Sequence, residues 1–244
     1  MSLDRSAVKE RSRQIIRTSN PSVLTASLIV TALGVLISLL SSRLVGVSAD
    51  DMMRYLEYVE AGKTEAAVNL VLSSTPSSGA QLIDLLLNCV SIIVSLGFLL
   101  FLLNSLRGTS PDLGNLLDGF AIWWKVLVLN LVCGLFIFLW SLLLIVPGII
   151  AAYRYSMAQY LLITRPELGI MDCIRESKRL TDGRKGELFT LDLSFLGWLL
   201  LTAVPVVGWL LSIWVTPYWQ LSVLQYYEHY SGAAYASDSV RWEL

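Results

Sequence analysis

From Val126 to Tyr153 the chain runs for 28 residues without a charge, and only Pro147 and Gly148 interrupt its helical pattern. A helix crossing a roughly 30 Å hydrocarbon layer needs about 20 such residues, whereas a water-soluble core has little use for them. Read along its length, the same pattern predicts six spans, at 23–40, 82–103, 126–146, 149–163, 188–204 and 209–224. Backbone groups in lipid must bond internally, and the absence of alternation rules out a barrel, so the spans are expected to be helices. The expected fold class is all-α: a polytopic six-helix transmembrane bundle forming one integral membrane domain over 1–244.

The polar connections between these segments set an orientation. Arg5, Lys9, Arg11, Arg13 and Arg17 make a basic N-terminal segment, 1–21, ahead of the first span. Arg107 and Lys125 flank a second connection, and Arg165, Arg175, Lys178, Arg179, Arg184 and Lys185 fill a third. The opposite side carries only Arg43, Arg54 and Lys63 amid Asp50, Asp51, Glu57, Glu60 and Glu65. Since lysine and arginine are retained in the cytoplasm, both termini are expected there. The segment 44–80 is then external. Met52, Met53, Leu56 and Val59, followed by Ala66, Val68, Leu70 and Val71, recur at helical spacing and predict two short amphipathic helices on the outer surface. After Pro166, Ile170, Ile174, Ser177 and Thr181 line one side of a helix whose remainder is charged, which predicts an interfacial helix facing anionic headgroups.

Two copies of one pattern suggest repeated hairpins. Ser110-Pro111-Asp112-Leu113-Gly114 precedes the third span and Arg165-Pro166-Glu167-Leu168-Gly169 the fifth, 55 positions later. Each leads into a pair of spans, with turns at Pro147-Gly148 and at Pro205 to Gly208, so the units are expected at 110–164 and 165–226. Parallel repeats occur in transporters, with sites at broken helices, and also in plain scaffolds.

Composition narrows the function. The chain is 55% hydrophobic and 15% charged, with a formal net charge of -1. No basic face with aromatic platforms is present, which argues against a nucleic-acid partner. Cys89, Cys133 and Cys173 show no paired spacing and read as core thiols. His229 is the only histidine, no serine sits in a nucleophile elbow, and no glycine loop suits a phosphate. No enzyme activity and no cofactor are expected. The tryptophans cluster near span ends as an aromatic belt.

Arg154 is the foremost candidate for chemistry. Seven residues beyond Pro147, or about 10 Å along a helix, it falls inside the apolar layer, where an arginine must snorkel or find a partner. Tyr153, Tyr155 and Gln159 are candidates to bond near it, and Asp84 or Asp192 to balance its charge. Two readings stay open: a structural ion pair, or a site for an anionic lipid headgroup or peptide carboxylate, whose oxygens match guanidinium bidentately.

Several motifs in the second half carry a resemblance. Ile145-Val146-Pro147-Gly148-Ile149-Ile150, Tyr153-Arg154-Tyr155-Ser156-Met157-Ala158, Ser177-Lys178-Arg179-Leu180, Asp182-Gly183-Arg184-Lys185, Leu193-Ser194-Phe195-Leu196-Gly197-Trp198 and Thr216-Pro217-Tyr218 resemble, in order and spacing, the bacterial integral membrane family called domain of unknown function 975. The resemblance extends from about Trp123 to Tyr227. Thr181 and Asp182 stand where that family typically has a methionine. The resemblance implies a shared architecture for Arg154 and the Pro147 turn and brings no substrate or catalytic residue with it. The resulting expectation is a non-catalytic, multi-pass protein of a bacterial cytoplasmic membrane, acting as a binding, scaffold or accessory component. Its partners would be membrane lipids and either further copies of itself or another membrane protein. The alternative is a small transporter or channel for lipid-like or peptide substrates.

Overall fold

The computed structural model describes residues 4–45, 49–73, 77–109, 111–202, 204 and 207–232. In chain order its helices are α1 (Arg5–Thr18), α2 (Val23–Val45), α3 (Ala49–Glu60), α4 (Thr64–Ser73), α5 (Ser78–Arg107), α6 (Asn115–Asp118), α7 (Trp123–Leu143), α8 (Ile145–Tyr155), α9 (Ala158–Thr164), α10 (Ile170–Leu180), α11 (Lys185–Thr202) and α12 (Val207–Ser231). A single 3₁₀ turn, Gly119–Ile122, joins α6 to α7. The chain divides into two compact units, Met1–Thr31 with Ile92–Leu244, and Ala32–Ser91.

Three helical stretches among the described residues are long and apolar enough to cross a membrane: Val23–Leu44, Ser78–Arg107 and Asn115–Leu143. The protein is thus an all-α, multi-pass membrane protein. The expected six-helix bundle of repeated hairpins is overturned, since three such stretches are found instead of six and no repeated hairpin pattern is clear. Each lost span has a local cause. The fourth is broken into α8 and α9, because Ser156 and Met157 form a turn between them. The fifth, α11, has 18 residues but carries Lys185, Glu187 and Asp192. The sixth, α12, contains Pro217 and ends in a polar half bearing Gln225 and Glu228. The supposed repeats are also unequal, because one pairs a 21-residue helix with an 11-residue one and the other pairs 18 residues with 25.

Proline is not the turn that its position suggested. The break after α7 falls at Leu144, whose backbone is extended at φ -164° and ψ 153°, and Pro147 lies in the first turn of α8. There a missing N–H costs nothing, since the first N–H groups of a helix lack an intrahelical partner. Gly148 is needed for a different reason: a Cβ at this position would overlap Ser141 on α7. Gly208 likewise lies against the Thr202 backbone. Pro205 is outside the described residues, as is Ser110.

In the larger unit the core joins consecutive helices to a few that are distant in sequence. α7 packs along α8 and α9, α10 lies across α7, α8 and α9, and α12 packs on α11 and α1. At the start of α7, Lys125 Nζ donates to the Pro166 carbonyl at 2.6 Å, so α8 and α9 together return the chain to the N-terminal end of α7. The C-terminal half of α5 is enclosed, with Leu100, Phe101, Leu102 and Leu103 all but inaccessible. The basic N-terminus is a docked helix rather than a loose tail. Its Val8, Ser12 and Ile16, four residues apart, face inward. Gln225 Nε2 donates to the Val8 carbonyl at 3.0 Å and to Ser12 Oγ at 2.8 Å. In the smaller unit α3 and α4 pack together. The outer surface of α7 is apolar, with Leu131 72% exposed and Leu142 75% exposed, the inverse of a water-soluble exterior.

Candidate functional site

Successive residues on an α-helix point about 100° apart, so Tyr153, Arg154 and Tyr155 at the end of α8 face three directions. Tyr153 reaches α11, where its hydroxyl donates to Asp192 Oδ2 at 2.8 Å. Trp219 on α12 donates from Nε1 to the other oxygen, Oδ1, at 2.7 Å. One carboxylate therefore ties α8, α11 and α12 through two neutral donors. Burial, then the hydrogen bond to Asp192, raises the Tyr153 hydroxyl above the ordinary tyrosine range. Phe189 meets the Tyr153 ring edge-on at 6.1 Å.

Arg154 points outward and is exposed. Among the described residues no carboxylate pairs with its guanidinium. Its backbone is held firmly all the same, because Ser177 Oγ on α10 donates to the Arg154 carbonyl at 2.9 Å and Thr181 Oγ1 lies 3.4 Å from it. The Ser177 hydroxyl satisfies a carbonyl that the end of α8 leaves without a helical donor, while the one hydroxyl proton of Thr181 is directed to the Ser177 carbonyl at 2.9 Å. These contacts also fix α10, whose buried face of Cys173, Ile174, Ser177 and Leu180 leaves its charges outside. Arg175 and Arg179 pair with Asp172 and Glu176 one turn back on the same helix, at 3.1 and 2.5 Å. Such exposed pairs are screened by water and break readily. Lys178 differs, with its ammonium 5.6 Å from the centre of the Tyr155 ring.

Tyr155 faces α7 and packs on Phe136 with ring centres 5.8 Å apart. It lines a cleft of about 290 Å³ together with Leu129, Asn130, Cys133, Gly134, Ile137, Ala152, Ser156 and Gln159. Gln159 is engaged here, donating to Asn130 Oδ1 at 2.8 Å, so it serves the α7–α9 contact instead of Arg154. Asp84 accepts from Asn88 within its own helix, α5, at 3.2 Å. The six candidate residues therefore separate into a tie (Tyr153, Asp192), an outward cation (Arg154), a cleft (Tyr155, Gln159) and a local bond (Asp84).

Sequence reasoning missed the most enclosed charges. Arg107 at the end of α5 donates from Nε and Nη2 to Glu228 Oε1 on α12, at 3.2 and 2.7 Å. The two side chains are only 6% and 1% exposed, and Glu228 Oε2 has no partner among the described residues. A glutamate among aromatic residues just past an apolar segment was the available signal. Its partner, 121 positions away, was not. Trp219 read as a belt residue for the same reason. Tyr230 donates to Glu187 at 2.9 Å, joining the end of α12 to the start of α11. Among the described residues no group of three or more His, Cys, Asp or Glu could hold a metal ion.

No curated protein and no solved structure matches the chain. The segment that holds Arg154, its α10 support and the Asp192 tie, residues 142–234, matches a family model described as "Protein of unknown function (DUF975)".

Proposed function

We propose that the protein is a non-catalytic component of a bacterial cytoplasmic membrane that binds anionic lipid headgroups through Arg154, flanked by the cations of α10. One observation carries this reading: a guanidinium without a carboxylate among the described residues, on a backbone held by the Ser177 hydroxyl. Guanidinium binds phosphate oxygens bidentately, and a fixed backbone lowers the entropy lost on binding. The competing role for Arg154, a structural ion pair with Asp192, is weakened because both Asp192 oxygens are already occupied by Tyr153 and Trp219. Asp192 and Glu228 both serve helix contacts, which favours a binding or scaffold role over catalysis.

A cytoplasmic position for α1 is supported by its five basic residues, Arg5, Lys9, Arg11, Arg13 and Arg17. The bonds from Gln225 to α1 and from Tyr230 to Glu187 favour the same side for the end of α12 and the start of α11. Transport of a lipid-like or peptide substrate is the second reading, favoured by the cleft beside the α8–α9 break.

Native mass spectrometry of the purified protein tests the first reading. Wild type should carry anionic lipid in preference to zwitterionic lipid, and Arg154→Gln should lose the preference while retaining the fold. Equal selectivity in the two proteins would refute it. The same spectra report subunit number, and hence whether the protein acts as a homo-oligomer.

A further inference from the structure

We infer that the α3–α4 hairpin docks on the membrane surface, with one apolar side entering the lipid leaflet at which α2 ends and α5 begins. This surface is separate from Arg154 and does not depend on the headgroup reading. All of its parts lie in the smaller unit, Ala32–Ser91.

The turn at Gly62 decides how the two helices face each other. Gly62 has φ 66°, a left-handed conformation that favours glycine, and the Lys63 N–H donates back to the Tyr58 carbonyl at 2.8 Å to close α3. α4 starts at Thr64 and packs on α3. Two packed helices joined by so short a link run antiparallel. Tyr58, the one residue of 53–60 that is not exposed, and Ala67, which is buried, mark the faces in contact.

Helical rotation then sorts the remaining side chains. Viewed from the start of α3, Tyr55, Val59 and Leu56 lie about 60°, 100° and 160° clockwise from Tyr58. Viewed from the start of α4, Val71 and Val68 lie about 40° and 100° clockwise from Ala67. In an antiparallel pair the same sense of rotation leads to the same side, so these five share one side of the hairpin. All five are exposed. Arg54, Glu57 and Glu60 fall on the other side of α3 with Met53, and Glu65 lies at the far edge of α4.

An apolar side of this kind marks an interaction surface, and the place where the hairpin is tied names its occupant. Three residues join the hairpin to α2 and four join it to α5, and both of those helices are candidate spans. Fully extended, such connections reach at most about 14 and 18 Å, so both ends of the hairpin are held at the headgroup layer. Leu39 and Leu40 near the end of α2, and Leu82 and Ile83 near the start of α5, are exposed and apolar like the rest of a lipid-facing surface. The nearest medium for the apolar side is that same hydrocarbon. Arg54, Glu57 and Glu60 are left to water.

The test uses the full chain carrying Cys89→Ala, Cys133→Ala and Cys173→Ala, with one new cysteine from Val59→Cys, Val68→Cys or Glu57→Cys. Each is labelled with an environment-sensitive nitrobenzoxadiazole dye and placed in nanodiscs of phosphatidylethanolamine and phosphatidylglycerol, with and without lipid bearing a nitroxide high on its acyl chain. Labels at 59 and 68 should emit to the blue of the label at 57 and lose about half their emission to the nitroxide lipid, whereas aqueous iodide should quench only the label at 57. Equal iodide quenching at all three positions would overturn the inference in favour of a solvated face. Blue-shifted labels that neither quencher reaches would overturn it in favour of a protein cover, such as a second copy of the chain. If the cysteine-free chain does not fold, a photo-crosslinking phenylalanine analogue is placed at position 59, and separately at 57, with the cysteines kept. A lipid adduct at 59 alone supports the docking, and equal adducts at both positions or none at either would overturn it.

Discussion

Replacing Asp192 by alanine removes the acceptor of two hydrogen bonds at once. Tyr153 and Trp219 each donate to a different carboxylate oxygen at 2.8 and 2.7 Å, and bonds to a charged group contribute about 1.5–3 kcal/mol each. Asp192, Tyr153 and Trp219 are all only half-buried, so water compensates in part and the lower end applies. The pair should then be worth about 3 kcal/mol, which on the scale of about 2–4 °C per kcal/mol for a chain of this size lowers Tm by roughly 6–12 °C. Asp192→Asn keeps one acceptor and should lose about half as much. Tyr153→Phe removes one donor while Trp219 remains paired, costing about 1–1.5 kcal/mol. The assay is thermal unfolding in detergent for the two single variants and the double variant, read as a cycle. Coupling of about 1 kcal/mol or more between Tyr153 and Asp192 is expected. Strictly additive losses, or an Asp192→Ala variant melting with wild type, would refute the three-helix tie.

Other outcomes follow from the same contacts. Arg107→Ala leaves Glu228 charged, buried and alone, and should cost about 3–5 kcal/mol in the same unfolding assay. Arg107→Met with Glu228→Leu should recover most of that loss, because an apolar pair of similar size has no charge to desolvate. Gly148→Ala should destabilise the protein by about 1–3 kcal/mol through overlap with Ser141, and adding Ser141→Gly should restore part of it. Burial, then the hydrogen bond to Glu187, raises the Tyr230 hydroxyl above its ordinary value. Its contribution is present in full below about pH 10, where unfolded tyrosine is still protonated, and is lost as pH rises toward the higher folded value. A melting series from neutral pH to pH 11 should therefore fall more steeply for wild type than for Tyr230→Phe.

Arg154 shows how far a sequence reaches toward a site. Its place on an apolar helix was plain, and so was its rarity. Its direction was not, because α8 turns about 100° per residue and the neighbours decide which face is covered. Asp192 looked like a counter-charge for Arg154, since both stood in apolar segments. The fold gives that carboxylate to Tyr153 and Trp219, 39 and 27 positions away. Gln159, expected beside Arg154, meets Asn130 on α7. Similarly, Arg107 read as a flanking positive charge until α12 brought Glu228 against it.

What the chain itself determined is its solvent. Long uncharged runs cannot be reconciled with water, and backbone groups in lipid close on themselves only as helices, so all-α character and membrane residence follow from composition and order. Span number did not follow, because a run such as 149–163 has the same apolar content whether it is one helix or two. Only the packing of α8, α9 and α10 on α7 settles that, through a turn at Ser156 and Met157 and a carbonyl capped by Ser177. Lipid solvates every apolar face alike and leaves pairing to the few polar groups and glycines between helices. Their partners are distant in sequence and meet only in the folded bundle.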